Sequence, residues 1–207
     1  MLQYSYMKAV LFDFNGVIID DEHLQEEAIR VALDGSGYTL SKDEFIAHFV
    51  GRSNLDGFAS FVSAGDVSEL LDRKRKVYSS LLSDKIPIIP EVIGFARRLH
   101  SRGFLLAIVS GSPKHEILDI LDRMEIAKLF SVIISSDDVS KGKPDPEGYL
   151  LAAESLGVSS NKCVVIEDSP AGLEAAKRAG MKSIAINSTH SFSQLKAADR
   201  VVDVKSL

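Results

Sequence analysis

The sequence is poor in cysteine, with Cys163 as the only one in 207 residues. This cysteine lies in the apolar run 163–166, where a buried strand thiol is far more common than a reactive one. The cysteine count therefore excludes a disulfide framework. With 45% hydrophobic residues, the chain can instead bury one full core and still carry an inserted subdomain.

Long hydrophobic runs and basic stripes are missing as well. No apolar window reaches the ~18 residues of a membrane span, and the amino terminus lacks a charged region followed by a hydrophobic signal core, so we expect a cytoplasmic protein. The formal net charge is −5, and the basic run Arg73 to Lys76 belongs to an amphipathic helical pattern. We therefore expect neither nucleic acid nor a membrane as a partner, and the oligomeric state stays open.

The strongest signal in what is present comes from the first predicted strand. The segment 8–16 reads Lys-Ala-Val-Leu-Phe-Asp-Phe-Asn-Gly, an apolar run that stops at Asp13, as is typical of a buried parallel strand that opens into a polar loop. Ligands of open α/β sheets bind just beyond such strand ends. Asp13 is therefore a candidate nucleophile and metal ligand. On this segment alone, it could equally well only cap a turn.

The remaining chain shows two hydrophobic periodicities. Apolar residues first recur at helical spacing with no strand among them, up to Pro87 and Pro90, which suit a linker. Helices then alternate with five further apolar strands, at 104–109, 132–134, 163–166, 183–186 and 201–202. This alternation predicts an α/β fold with a doubly wound parallel sheet of Rossmann type. We expect a catalytic core made of residues 1–17 and 88–207, with a helical cap inserted at 18–87.

Polar residues follow four of the predicted strands, whose carboxyl ends lie along one edge of a parallel sheet. They are Asp13, Asn15 and Gly16 after the first strand, Ser110, Gly111 and Ser112 after the second, Lys143 after the third, and Glu167 and Asp168 after the fourth. Hydroxyls and amides at a helix start suit a phosphate, and a lysine adds a point charge for it. Two aspartates brought close favour a divalent cation, and oxygen ligands favour Mg²⁺ over zinc.

Each of these residues also has an ordinary structural explanation. Ser110 and Asp168 are of types that often cap helices, and Lys143 is of a type that is often a solvated loop charge. Taken singly, such explanations usually hold. Four polar strand endings that converge on one edge make the functional interpretation stronger.

With these four segments in this order and at this spacing, the chain resembles the haloacid dehalogenase superfamily over nearly its whole length. The insertion looks like the helical cap of the subgroup that includes phosphoglycolate phosphatase-like enzymes and β-phosphoglucomutase. The resemblance implies phosphoryl transfer through an aspartyl phosphate on Asp13, with Mg²⁺ as cofactor and Glu167 acting through metal-bound water. It implies catalytic positions at Asp13, Asn15, Ser110 and Lys143, a metal site of Asp13, Asn15, Asp168 and Glu167, and substrate contacts from Ser110, Gly111, Ser112, Lys143, Arg52 and Gln25.

The chemistry of phosphoryl transfer agrees with these implied roles. Its transition state spreads charge over the equatorial oxygens, which a metal, a lysine and backbone amides stabilise. Lys143 also offsets the carboxylates around it and should keep Asp13 ionised. Arg52 could bind a second anionic group of the substrate, although a solvated surface arginine is at least as common.

Asn15 departs from the family pattern. Phosphate-ester hydrolases of the family usually carry an aspartate here, which protonates the leaving oxygen and then activates water, and without it general acid–base catalysis of about 10²–10⁴ is lost. Three explanations stay open: a natural variant with an easy leaving group or a substitute acid such as Asp20, Asp21 or Glu22, an engineered substitution, or a protein that binds phosphate compounds without turnover. Family members that cleave carbon–phosphorus or carbon–halogen bonds also lack this aspartate. The dehalogenases work without Mg²⁺, however, and the Glu167-Asp168 pair argues against that branch.

The sequence therefore predicts a Mg²⁺-dependent phosphatase or phosphomutase-like enzyme that acts on a small phosphorylated metabolite. The alternative is a weakly active or non-hydrolytic phosphate-binding protein.

Overall fold

The computed structural model describes residues 7–49, 54–63, 65–82 and 86–207. The chain divides into two compact units, of which Met1–Asp20 with Ile88–Leu207 is called the core unit and Asp21–Pro87 the helical unit. The strands are β1 (Ala9–Phe12), β2 (Leu105–Val109), β3 (Val132–Ile134), β4 (Cys163–Glu167), β5 (Lys182–Ile186) and β6 (Arg200–Val202). The helices are α1 (Glu22–Asp34), α2 (Lys42–His48), α3 (Asn54–Ala59), α4 (Val67–Leu81), α5 (Pro90–Ser101), α6 (Lys114–Arg123), α7 (Glu147–Ser155) and α8 (Pro170–Arg178).

The core unit is built on one six-stranded sheet in the order β3-β2-β1-β4-β5-β6. Every neighbouring pair is parallel, which confirms the predicted doubly wound α/β fold. Phe12 pairs with Ile108 on one side and with Ile166 on the other, so the three central strands end in register. The strand order reverses at β1: β2 and β3 are added on one side of it, and β4, β5 and β6 on the other. Open α/β sheets bind their ligands beyond the strand ends at such a point.

The sheet is buried because its central strands are apolar on both faces. All residues of β1 and β4 are buried, as parallel strands covered by helices on both sides require. On one face, Leu11 and Val165 pack with Ala152 of α7 and Ala176 of α8. Burial of a leucine or valine side chain, such as Leu11 or Val165, contributes about 1.5–3 kcal/mol. Cys163 belongs to the same cluster, and its predicted burial is confirmed.

The helical unit has an apolar core of its own. Ile29 and Leu33 of α1 pack with Leu70 of α4 and with a group of phenylalanines that includes Phe45 and Phe58. Helix α2 begins with a capping box, in which Ser41 and Glu44 satisfy each other's backbone amides. Within the part of the chain that the structure describes, no helix is both long and apolar enough to cross a membrane.

Pro90 suits a linker in the sequence, but in the structure it lies in a helix. Pro90 is the first residue of α5, a position where the missing N–H of proline has no cost and its fixed φ suits the helix. Just before it, Ile89 donates its amide hydrogen to the carbonyl oxygen of Ile18 at 3.0 Å, and Ile88 bridges Ile19. The segment 88–90 is therefore held by backbone hydrogen bonds as part of the core unit.

Candidate active site

Three carboxylates meet beyond the ends of β1 and β4. Asp13 follows β1, Glu167 ends β4 and Asp168 follows it, and one carboxylate oxygen from each lies within 4.8 Å of the others. All three residues are buried. The amide of Asp13 donates to the carbonyl oxygen of Ile166 at 2.9 Å, which continues the β1–β4 ladder and places Asp13 next to the two acids. This set of hard oxygen ligands matches Mg²⁺.

Lys143 is the cation that enters this cluster. Its Nζ donates to Oδ1 of Asp13 at 2.5 Å, to Oε1 of Glu167 at 2.7 Å and to the carbonyl oxygen of Val109 at 3.1 Å. Among the ion pairs between described residues, no other cation reaches the three carboxylates. One lysine cannot balance three negative charges, so the cluster carries excess negative charge when all three acids are ionised.

The pKa values reflect this imbalance. Burial raises the pKa of Asp13 to about 7, with help from the charge of Glu167 and against the effect of Lys143. Burial and the charges of Glu167 and Asp13 raise the pKa of Asp168 well above its ordinary value. The charge of Lys143 lowers the pKa of Asp13, in the direction that the sequence predicts, but burial acts in the opposite direction and outweighs it. A divalent cation would offset this desolvation and repulsion, so the donor set fits Mg²⁺ in charge as well as in chemistry.

Glu167 differs from its two neighbours because its oxygens are fully engaged. Oε1 accepts hydrogen bonds from Lys143 and from the hydroxyl of Tyr149 at 2.9 Å, and Oε2 accepts from the amides of Asp168 and Ser169 and from the Ser169 hydroxyl. Although burial acts to raise its pKa, Lys143 and these hydrogen bonds hold it below its ordinary value. A carboxylate offers about four lone-pair sites, so these contacts favour Glu167 as the anchor of Lys143 over direct binding of a metal.

Gly172 lets α8 approach this anchor. A Cβ at residue 172 would lie 1.7 Å from Oε1 of Glu167, so any side chain there would displace this carboxylate from its hydrogen bonds. The nearby Ser169 accepts a hydrogen bond from the amide of Gly172 at 3.1 Å and so caps α8.

Asn15 is tied to the loop that follows β2. Its Oδ1 accepts hydrogen bonds from the hydroxyls of Ser112 at 2.8 Å and Ser110 at 3.3 Å, and the Ser110 hydroxyl accepts from the amide of Ser112 at 3.0 Å. No atom lies within 4 Å of where a Cβ of Gly111 would be, so the loop backbone has open space on that side. Hydroxyls and amides at the start of α6 suit a phosphoryl group.

The two predicted substrate contacts of the inserted region have different outcomes. Arg52 lies outside the described residues. Gln25 lies on α1 of the helical unit, where its Nε2 donates to Oδ2 of Asp21 at 2.8 Å. The hydroxyl of Tyr78 donates to the same oxygen at 2.6 Å. Asp21, one of the candidate substitute acids, is fully buried.

Sequence reasoning missed four residues that shape the site: Tyr149, Gly172, Ser188 and Thr189. The hydroxyl of Thr189 donates to Oδ2 of Asp168, and the hydroxyl of Ser188 donates to the carbonyl oxygen of Gly16. Ser188 and Thr189 follow β5, so the rule applied to the endings of the first four strands would have found them. Tyr149 and Gly172 lie on helices, and nothing in the sequence separates them from ordinary core residues.

The sheet order and this site together define an α/β enzyme with an acidic centre beyond its two central strands. Residues 10–186 match the family model of the haloacid dehalogenase-like hydrolases. The chain belongs to this family. This confirms the family resemblance seen in the sequence, the predicted α/β fold and the predicted class of enzyme, a hydrolase.

Relatives of known name cover almost the whole chain. The chain is 35% identical over 199 residues to a phosphorylated carbohydrates phosphatase of Thermotoga maritima, a match that covers 92% of this chain and 89% of that protein. It is 34% identical to validoxylamine A 7'-phosphate phosphatase of Streptomyces hygroscopicus subsp. limoneus, with 93% and 91% covered. The crystal structure of β-phosphoglucomutase from Clostridium difficile has the same fold, with a TM-score of 0.85 at 24% identity and 95% and 91% covered.

Proposed function

We propose that this protein is a Mg²⁺-dependent phosphatase or phosphomutase-like enzyme that acts on a small phosphorylated, sugar-like metabolite through an aspartyl phosphate on Asp13. The observation that carries the proposal is the buried carboxylate of Asp13, which lies with Lys143 and Asp168 beyond the end of β1, where the strand order reverses. The names of the two phosphatase relatives support the substrate class, since both include a phosphorylated carbohydrate or a related phosphate ester.

Asp13 is the proposed nucleophile. Its carboxylate forms a bond to phosphorus while the ester bond to the leaving oxygen breaks, and water then cleaves the acyl phosphate to release inorganic phosphate and restore Asp13. Lys143 would offset the negative charge on the phosphoryl oxygens. The loop of Ser110, Gly111 and Ser112 would donate hydrogen bonds to the same oxygens. In a phosphomutase, the phosphoryl group would pass to a second hydroxyl of the substrate instead of to water.

The carboxylates of Asp13 and Asp168 and the carbonyl oxygen of Asn15 would hold the cation. Bound there, Mg²⁺ supplies positive charge against the transferring phosphoryl group and lowers the barrier to the approach of two anions. Glu167 would act one step further out, by keeping the ammonium group of Lys143 in place through the 2.7 Å contact.

Asn15 limits the rate of this reaction. Its side-chain oxygen accepts hydrogen bonds from Ser110 and Ser112, and a carboxamide has no proton to give to a leaving alkoxide near neutral pH. We therefore expect slow turnover of alkyl phosphates. The same observation favours the second candidate function, a weakly active or non-hydrolytic phosphate-binding protein.

The helical unit is proposed to select the substrate as a cap. Arg52 and Gln25 stay predicted substrate contacts, and closure of such a cap would exclude water from the reacting groups. The cytoplasmic location and the absence of nucleic acid and membrane partners stay predictions as well.

Turnover of p-nitrophenyl phosphate with Mg²⁺, and its loss with EDTA, tests the proposal. The Asp13→Asn variant is the matched control, because it keeps the shape of the side chain and removes the nucleophile. Mg²⁺-dependent turnover that Asp13→Asn abolishes would support the enzyme, and a panel of sugar phosphates would then rank its substrates. Phosphate binding without turnover in the parent protein would favour the second candidate.

A further inference from the structure

The loop after β5 holds one oxygen of Asp168. Thr189 donates its hydroxyl hydrogen to Oδ2, and the hydroxyl of Ser188 lies 3.5 Å from the same atom. Among the residues that the structure describes, the hydrogen bonds to the Asp168 side chain all reach Oδ2. Its second oxygen, Oδ1, is therefore the one left for a cation that Asp168 shares with Asp13.

A second hydrogen bond, between His190 and Thr189, determines which group donates to Asp168. Nδ1 of His190 lies 2.8 Å from the hydroxyl oxygen of Thr189. A hydroxyl has one hydrogen to donate, and Asp168, which is ionised when it binds a cation, can only accept it. His190 must then donate its Nδ1 hydrogen to Thr189, so the chain runs from His190 through Thr189 to Asp168.

Gly16 closes the other side of the carboxylate. This glycine has a φ of +75°, and a Cβ at its position would lie 2.0 Å from Oδ2 of Asp168 and 3.0 Å from Cγ2 of Thr189. The Ser188 hydroxyl also donates to the carbonyl oxygen of Gly16, which ties the loop after β5 to the loop after β1. Asp168 is thus held between two loops that come from different strands.

We propose that Thr189, oriented by His190, is a positioning residue that holds Oδ2 of Asp168 and so keeps Oδ1 directed to a divalent cation. The inference rests on the proposed function, because it requires the cation to bind at Asp13 and Asp168. Hydrogen-bond partners that orient metal-binding side chains typically change metal affinity by about 10- to 100-fold when they are removed.

The test measures Mn²⁺ binding by electron paramagnetic resonance, with Mn²⁺ as the probe for the Mg²⁺ site. Thr189→Val keeps the shape of the side chain and removes the hydroxyl, and we expect it to weaken Mn²⁺ binding by about 10-fold or more. Thr189→Ser returns the hydroxyl and should restore affinity. His190→Ala should weaken binding, whereas His190→Asn, which keeps a donor near Nδ1, should restore it.

Ser191→Ala is the matched control in the same loop. Its hydroxyl contacts Ser193 and Gln194, so its removal should leave the Kd for Mn²⁺ unchanged. Melting temperatures of all variants separate a lost metal contact from a lost fold. Should Thr189→Val fail to fold, the comparison of Thr189→Ala with Thr189→Ser supplies the same difference.

The outcomes separate this inference from the proposed function. If the parent protein binds no Mn²⁺, or if Asp168→Asn binds it as well as the parent does, the proposed metal site fails and the inference is overturned with it. If Asp168→Asn loses Mn²⁺ while Thr189→Val keeps the parent Kd, the metal site stands and only the role of Thr189 is overturned. An equal loss of affinity in Ser191→Ala also overturns it, because the effect would then belong to the whole loop.

Discussion

The Nζ atom of Lys143 lies 2.5 Å from Oδ1 of Asp13, although 130 positions separate the two residues in the sequence. The same atom also contacts Glu167 at 2.7 Å. The candidate nucleophile and its counter-ion are therefore parts of one buried charge cluster, which links the stability of the core unit to the chemistry of the site.

Lys143→Met should destabilise the protein strongly. It leaves the buried carboxylates of Asp13 and Glu167 without their cation, and removal of one partner of a buried ion pair costs roughly 3–5 kcal/mol. Unfolding in urea at neutral pH without Mg²⁺ measures the loss. Lys141→Met, at an exposed residue of the same loop, should change the free energy of unfolding by no more than about 0.5 kcal/mol. Equal free energies of unfolding for the two variants would show that the ion pairs of Lys143 with Asp13 and Glu167 do not stabilise the protein.

Asp13→Asn should abolish phosphatase activity without loss of stability. The amide cannot form an aspartyl phosphate, and the change removes a desolvated carboxylate whose pKa burial raises to about 7. Steady-state turnover and trapping with beryllium fluoride test the first expectation, and thermal unfolding tests the second. Residual turnover close to that of the parent would show that another group attacks phosphorus.

Mg²⁺ should stabilise the folded protein. A ligand that binds only the native state at 100 times its Kd adds about 2.7 kcal/mol to the free energy of unfolding, and here it would also relieve the repulsion between Asp13 and Asp168. Thermal unfolding with Mg²⁺ and with EDTA measures this difference, with KCl at the same ionic strength as the control for charge screening. Asp168→Asn should remove the Mg²⁺-dependent part. An undiminished response in Asp168→Asn would place the cation elsewhere.

Asn15→Asp should raise turnover of alkyl phosphates by about 10²-fold or more, because it adds a carboxyl group that can protonate the leaving oxygen. The effect should be smaller for p-nitrophenyl phosphate, whose leaving group needs little protonation. The new side chain keeps an oxygen that can accept from Ser110 and Ser112. Asn15→Ala, which loses these contacts and adds no acid, is the control. A negligible effect on both substrates would mean that another acid already acts, or that hydrolysis is not the task of this protein.

The stability that Asp138 contributes should depend on pH. Hydrogen bonds from Ser135 lower the pKa of Asp138 below its ordinary value of 3.8, with further help from Lys114. Ser135 and Asp138 together form a capping box. A carboxylate with a lowered pKa contributes stability above its unfolded-state pKa and loses it as the pH falls through the folded-state value. Asp138→Asn should therefore cost about 1 kcal/mol at pH 7, and the difference should close below pH 3.8.

Urea unfolding of Asp138→Asn between pH 7 and pH 3 measures this dependence. Asp122→Asn is the control, since Asp122 is an exposed carboxylate on α6. A difference between Asp138→Asn and the parent that stays constant over this range would show that the carboxylate charge contributes nothing to the capping box.

Two features of the folded chain could not be predicted from residue types: the pKa of Asp13 and the place of Pro90 in a helix. The pKa of Asp13 depends on how much water surrounds it and on the distances to Lys143 and Glu167, and neither quantity can be counted from residue types. Pro90 shows the same limit for the backbone, because a proline that starts a helix and a proline in a linker look alike in a sequence.

The sequence by itself determined the α/β fold class and the strand endings that converge, because continuous apolar runs mark buried parallel strands and such strands end along one edge. Only the tertiary structure decided how the charges are held. Tyr149 reaches Glu167 across 18 positions and Thr189 reaches Asp168 across 21, contacts that arise from the packing of α7 and from the pairing of β5 with β4. Hydrogen bonds of this kind require both partners within about 3 Å, and only the folded chain brings these residues that close.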